Sequence, residues 1–155
     1  MQELIDDLRV FSQTAIQVEL SKKINLEKVF KEIISDLGLL PPKNDGQILV
    51  DPFPTIEGNL EQMWLLFQNL LSNAIKFHDP DKLQEIKIYS RPCGQDNWEV
   101  SVEDPGIGFD EKYKDRIFRP FEKLHGTSAY KGTGMGLAIC QKISENHGGF
   151  IKAES

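Results

Sequence analysis

Cysteine is scarce in this chain of 155 residues, and Cys93 and Cys140 stand far apart without CxxC spacing. That argues against a disulfide framework or a thiolate metal site and for two free thiols in a reducing compartment. His78, His125 and His147 share no metal-ligand spacing either. No dense run of Lys or Arg exists, and the formal net charge is −6. Nucleic acid or an anionic membrane surface is therefore a poor partner. No apolar run is long enough to span a bilayer, and nothing at the start reads as a signal peptide. Internal repeats and low-complexity tracts are missing too. What remains, 39% apolar and 27% charged residues, is the composition of one soluble domain with room for a core.

The most informative stretch is Gln62 to Phe77, QMWLLFQNLLSNAIKF. At about 100° per residue, Met63, Leu66, Phe67, Leu70, Leu71 and Ala74 share one apolar arc of a helix. Gln62, Leu65, Gln68, Asn69, Ser72, Asn73 and Lys76 take the other. Solvated helix faces are rich in Glu, Lys and Arg, whereas this one is polar and almost uncharged. Asn69 and Asn73 are one turn apart, so their amides point the same way. Asn is a poor helix former. Two of them in a good helix either cap neighbouring loops or meet a ligand.

Along the chain, Met1 to about Ser21 reads as a helix with Leu4, Leu8, Phe11 and Ala15 in one stripe, the expected end of a longer coiled hairpin. Asn25 is a candidate N-cap for a helix whose apolar face is Val29, Phe30, Ile33, Ile34 and Leu37. Gly38 and Pro41-Pro42 stop it. Ile48 to Val50 is a short strand. Pro52, Pro54 and Gly58 fill a loop before the central helix, which Asn59 caps. Glu85 to Ser90 alternates with Ile86 and Ile88 on one face, and Arg91 to Asn97 reads as a hairpin loop. Trp98, Val100 and Val102 alternate as a half-buried strand that runs into Asp104. Residues 110–131 have no clean period, the mark of a lid, a binding loop or disorder. Gly132 to Gly136 then leads into a helix through His147, closed by Gly148-Gly149, and Phe150 to Ala153 begins a last strand.

Four constellations carry candidate chemistry. On the central helix, a carboxamide oxygen suits Mg²⁺ that keeps waters and is otherwise held by phosphates, with Lys76 one turn on. Asp104-x-Gly106-x-Gly108 ends a strand with an acceptor and two glycines that let a flat ligand near the backbone, though Asp-Pro-Gly is also an ordinary turn. Gly132-x-Gly134-x-Gly136 opens a helix, where N–H groups favour anions, but it matches neither a P-loop nor a Rossmann fingerprint. Phe118 and Phe121 are expected to pin the irregular segment to the core, with Lys123 just beyond.

In that order the sequence resembles the catalytic ATP-binding domain of sensor histidine kinases, within the gyrase, Hsp90, histidine kinase and MutL superfamily. NLLSNAIKF is similar to the N box, DPGIGF to the G1 box, IFRPFEKL to the F box and GTGMGLAIC to the G2 box; FQNLLSNAIKF and HGG most resemble the phytochrome-like branch. The resemblance implies an α/β fold, a two-layer sandwich of a mixed sheet with helices on one face, of the Bergerat type. It implies that Asn73 coordinates Mg²⁺ with Asn69 assisting, that Lys76 meets phosphate and that Phe77 packs on adenine. Asp104 would accept the adenine amino group, with Gly106, Ile107 and Gly108 lining that pocket. Gly132, Thr133, Gly134, Met135, Gly136 and Leu137 would bracket the triphosphate under Phe118 and Phe121, and Lys123 would reach its far end. Asn73, Lys76 and Lys123 are the implied catalytic residues.

MQELIDDLRVFS is similar to the end of the second helix of the family's dimerization and phosphoacceptor hairpin, so 1–22 is assigned to that hairpin and 23–155 to the catalytic domain, its C-terminal strand expected to be truncated. Pro105 stands where the G1 box usually has Asn, and no histidine here sits in a phosphoacceptor box. The implied function is transfer of the γ-phosphoryl group of Mg·ATP to a histidine on a hairpin outside this chain. The implied partners are that hairpin, a response regulator receiver domain and a second copy of the full-length protein. The expected location is cytoplasmic, with a membrane anchor left open for the full-length protein. A pure ATPase or clamp of the same superfamily is the first alternative, disfavoured because Asn69 stands where such proteins place an acid to activate water. A nucleotide-independent scaffold is the second, disfavoured by Asn73, Asp104 and the three G2 glycines.

Overall fold

Asn25 caps a helix, as its place in the sequence predicts. In the computed structural model, which describes residues 22–37, 47–76, 85–95, 97–104, 118 and 136–152, its side chain accepts the Lys28 N–H at 3.3 Å. Helix α1, Leu26–Asp36, buries Leu26, Val29, Phe30, Ile33 and Ile34. That spacing is one stripe at the helical period, and Glu27 in the first turn complements the helix dipole. Helix α2, Leu60–Lys76, is the predicted central helix. The Asn59 side chain accepts the Gln62 N–H at 2.9 Å, and its carbonyl accepts from Met63 at 2.9 Å. Helix α3, Gly136–Asn146, buries Ala138, Ile139, Cys140 and Ile143.

Strands β1 (Lys22–Asn25) and β3 (Thr55–Gly58) pair antiparallel as a small ribbon, with Ile24 opposite Ile56. Strands β2 (Gln47–Val50), β4 (Glu85–Cys93) and β5 (Asn97–Glu103) form a second sheet in the order β2-β4-β5. β2 and β4 run parallel, with Val50 opposite Ile88; β4 and β5 run antiparallel, with Ile88 opposite Val102. The sheet is thus mixed. Ile86 and Ile88 of β4, both almost fully buried, share one core with the apolar faces of α1, α2 and α3. Phe30 joins its parts: its ring centroid is 4.9 Å from that of Phe53 and 4.6 Å from that of Phe67 on α2. Sheet and helices thus make the two layers of an α/β sandwich.

Several expectations need correction. β3 lies in the stretch read as a loop, and β1, opening at Lys22 on the 22/23 boundary drawn from sequence, was not expected at all. β4 continues through Cys93, so the hairpin turn is shorter and pivots on Gly94, whose φ of 76° favours glycine. The ion pair of Arg91 with Glu99, 2.8 Å long, joins β4 to β5, with Arg91 in the stretch taken for a loop. Trp98 alternates correctly yet is 44% exposed, because it sits opposite Pro92 at the far end of the hairpin. Phe150 is exposed, and among the described residues, 149–152 take no strand pairing, while Ala153 of the expected strand lies outside them. The expected helix over 1–21 lies outside the described residues.

Candidate functional site

Helices α2 and α3 lie antiparallel, and contacts at both ends and in the middle set their register. Asn59 at the start of α2 meets His147 just past the end of α3. In the middle, the Cys140 thiol approaches the Leu66 carbonyl at 3.6 Å. At the other end Gly136 meets Asn69, so close that a methyl group on Gly136 would come within 3.2 Å of the Asn69 Oδ1. The glycine that ends the Gly-x-Gly-x-Gly run is therefore brought against the first of the two amides. A Cβ here would require the Asn69 amide to give by a few tenths of an ångström, which glycine avoids.

Asn69 is also oriented. Its Nδ2 donates to the Leu65 carbonyl one turn back at 3.0 Å, which leaves Oδ1 as the group turned towards Gly136. Asn73, one turn or about 6 Å further along α2, is half-buried. Among the described residues no hydrogen bond to its side chain is formed, so nothing there supports its reading as a loop cap. Lys76 is the last residue of α2. The N-terminus of α3 opens beside this amide row. Its first N–H groups have no intrahelical partner and carry the positive end of the helix dipole. Where α1 and α2 each have a glutamate in the first turn, α3 has no acid there. An anion is the complement that end calls for.

Asp104 directly follows β5 and is exposed; α2 packs across β5, so the strand that delivers Asp104 lies in the layer facing the helix that carries the amide row. Phe118 is buried, as an anchor of its segment should be, although outside the main core cluster. Phe77, Gly106, Ile107, Gly108, Phe121, Lys123, Gly132, Thr133, Gly134 and Met135 lie outside the described residues. An open depression on α1, lined by Lys28, Lys31, Glu32, Ser35 and Asp36, contains none of the predicted site residues.

The residues present fit a metal–nucleotide. They offer a neutral amide oxygen pair, a close backbone approach that a Cβ would crowd, and a helix N-terminus with no acid in its first turn. Among the described residues no cluster of His, Cys, Asp or Glu could hold a metal by itself, so a cation here needs phosphate oxygens to complete its shell. Burial between α2 and α3 pushes the Cys140 thiol up from 9.0 to about 12, partly opposed by a hydrogen bond from the backbone of Cys140 itself. It is a packing group, not a nucleophile; Cys93 is exposed.

Sequence reading missed the far end of the helix pair. Gln62, assigned to the polar arc, is 7% exposed, because its Oε1 accepts from Asn146 Nδ2 at 3.4 Å. His147 was only the last residue of a helix. The His-Gly-Gly run was the available signal.

Residues 58–155 match the family described as histidine kinase-, DNA gyrase B-, and HSP90-like ATPase. Over all 155 residues the chain is 41% identical to cyanobacterial phytochrome A of Nostoc sp., covering 20% of that protein; it spans about a fifth of the curated relatives it matches first. Among solved structures, full-length ShkA in complex with AMPPNP superposes with a TM-score of 0.81 at 22% identity, over 98% of this chain and 32% of that one. Histidine kinase ThkA in complex with the response regulator protein TrrA superposes with a TM-score of 0.67 at 26% identity, over 86% of this chain and 37% of that one.

Proposed function

This chain belongs to the histidine kinase-, DNA gyrase B-, and HSP90-like ATPase family, and from that premise we propose that it is the ATP-binding catalytic part of a sensor histidine kinase. It holds Mg·ATP and positions the γ-phosphoryl group for attack by a histidine on the dimerization hairpin of the full-length protein, a homodimer whose phosphohistidine serves a receiver domain. The observation that carries this reading is the approach of Gly136 to the oriented amide of Asn69, which joins the amide row and the anion-favouring helix end in one place. The AMPPNP complex of ShkA and the ThkA–TrrA complex support the nucleotide and the receiver partner.

In this assignment Asn73 and Asn69 hold Mg²⁺ and Lys76 and Lys123 face phosphate. Gly132, Thr133, Gly134, Met135, Gly136 and Leu137 bracket the triphosphate. Phe77, Asp104, Gly106, Ile107 and Gly108 form the base pocket, closed by Phe118 and Phe121. The metal, when bound, neutralises phosphate charge; the protein contributes positioning and fixed dipoles. Asn69 also separates transfer from hydrolysis: an amide tied to the Leu65 carbonyl cannot take a proton from water as a carboxylate would. Calorimetric titration with Mg·AMPPNP tests the reading. Saturable binding that EDTA weakens is expected; no binding, or binding indifferent to the metal, contradicts it.

A further inference from the structure

At the end of the helix pair remote from the amide row, a joint is built that no role above uses. Gly148, at φ 73°, stops α3 in a left-handed cap: its N–H bonds the Glu145 carbonyl at 3.0 Å and that of Gly149 bonds the Ser144 carbonyl at 2.9 Å. The cap leaves His147 as the last residue of the turn. Its Nδ1 lies 2.8 Å from the Ile143 carbonyl, and its Nε2 is 3.0 Å from the Asn59 backbone nitrogen. A backbone N–H only donates, so Nε2 is the bare nitrogen and Nδ1 carries the proton that goes to Ile143. One neutral tautomer satisfies both ends.

Asn59 is itself the cap of α2, so a single ring ties the last turn of α3 to the first turn of α2. Space is tight around it. A methyl group on Gly58 would stand 2.9 Å from both Cδ2 and Nε2 of His147. Asn146 and the buried Gln62 add a second bond beside it.

We propose that His147 is a positioning residue for nucleotide binding: through Asn59 it sets the register of α3 along α2 and so holds Gly136 against Asn69, about 16 Å away along the helix. The inference rests on the nucleotide reading of that site. Of the other contacts between the helices, the thiol of Cys140 is a weak donor at 3.6 Å and the Asn146–Gln62 bond is long at 3.4 Å, so both resist sliding poorly. Gly136 lies near enough to Asn69 that even an added methyl would crowd Oδ1, at 3.2 Å. With His147 released, α3 pivots near Cys140, on arms of about 10 Å to His147 and about 6 Å to Gly136. A shift of about 1 Å at the joint then moves Gly136 by about 0.6 Å, enough to open or crowd its contact with Asn69.

Two substitutions separate the ring nitrogens. In His147→Gln the Oε1 stands near the place of Nε2 and still accepts from Asn59. His147→Asn reaches only the place of Nδ1. Titration of the full chain with Mg·AMPPNP, with melting temperatures alongside, is expected to leave His147→Gln within about threefold of wild type and to weaken His147→Asn about tenfold. Gly58→Ala weakens binding to a similar degree by displacing the ring, and Gly58→Ala in a His147→Ala background costs nothing further, because the methyl then has room. A merely structural role predicts lower melting temperatures with unchanged affinity throughout; that result, or Gln no better than Asn, overturns the inference alone. Wild type that binds no nucleotide overturns the nucleotide reading and this inference with it.

Discussion

Replacing Asn73 by alanine separates a ligand-holding amide from a structural one. Asn73 is half-buried on α2 and, among the described residues, its side chain forms no hydrogen bond. Alanine is the better helix former by about 0.6 kcal/mol. The free protein is therefore expected to gain stability, which for a domain of this size is about 1–2 °C in melting temperature. Ligand stabilisation should move the other way. At a nucleotide concentration about 100 times the dissociation constant, wild type gains about 2.7 kcal/mol, or about 5–10 °C. A lost bond to a charged group costs about 1.5–3 kcal/mol, hence about ten- to a hundredfold in affinity. At the same concentration the ligand then contributes only about 0.4–1.4 kcal/mol. Thermal melts of both proteins with and without Mg·AMPPNP read all four states. A variant that melts several degrees lower when free, and keeps the full nucleotide shift, would refute the assignment and make Asn73 a loop cap.

Three further predictions follow from the same geometry. Gly136→Ala puts a methyl 3.2 Å from Asn69 Oδ1 and should weaken Mg·AMPPNP about five- to tenfold, about 1–1.4 kcal/mol, without lowering the melting temperature; unchanged affinity contradicts the close approach. Wild type should prefer ATP over GTP, because an ionised carboxylate at Asp104 accepts from the adenine amino group but faces a carbonyl on guanine. Asp104→Asn should narrow that gap in competition binding, and equal affinities in wild type would end the idea. The Cys140 thiol holds its proton up to about pH 12 when folded, against 9.0 ordinarily. Above pH 9 the unfolded chain releases that proton first, so stability falls as pH rises, by about 1.4 kcal/mol per unit from this group; Cys140→Ser should flatten the denaturation-versus-pH slope there, and identical slopes contradict the burial argument.

What was legible in the sequence was whatever had a local cause. The periodicity of 62–76 placed α2, and Asn25 and Asn59 announced the helix starts they cap. The pair Ile86 and Ile88 marked a buried strand. The amide row and Gly136 could be singled out because Asn inside a helix and Gly opening one both need an explanation. What was illegible depends on partners distant in the chain. β1 and β3 are four residues each, too short for alternation to show, and exist as a pair because they meet. Gln62 looked like a surface residue because its partner, Asn146, is 84 residues away. His147 and Asn59 are separated by 88. Trp98 had the right alternation, but period alone does not tell where along a hairpin the covering layer ends.

The account stands most directly on one experiment: incubate this chain with γ-labelled ATP and Mg²⁺, with and without a separately added hairpin that carries a histidine followed by an acid. The expected result is no label on this chain alone, and label on the hairpin that is stable to base, labile to acid and absent with Asn73→Ala. Acid-labile label appearing on this chain by itself, or a hairpin that stays unlabelled while this chain binds ATP, would contradict it.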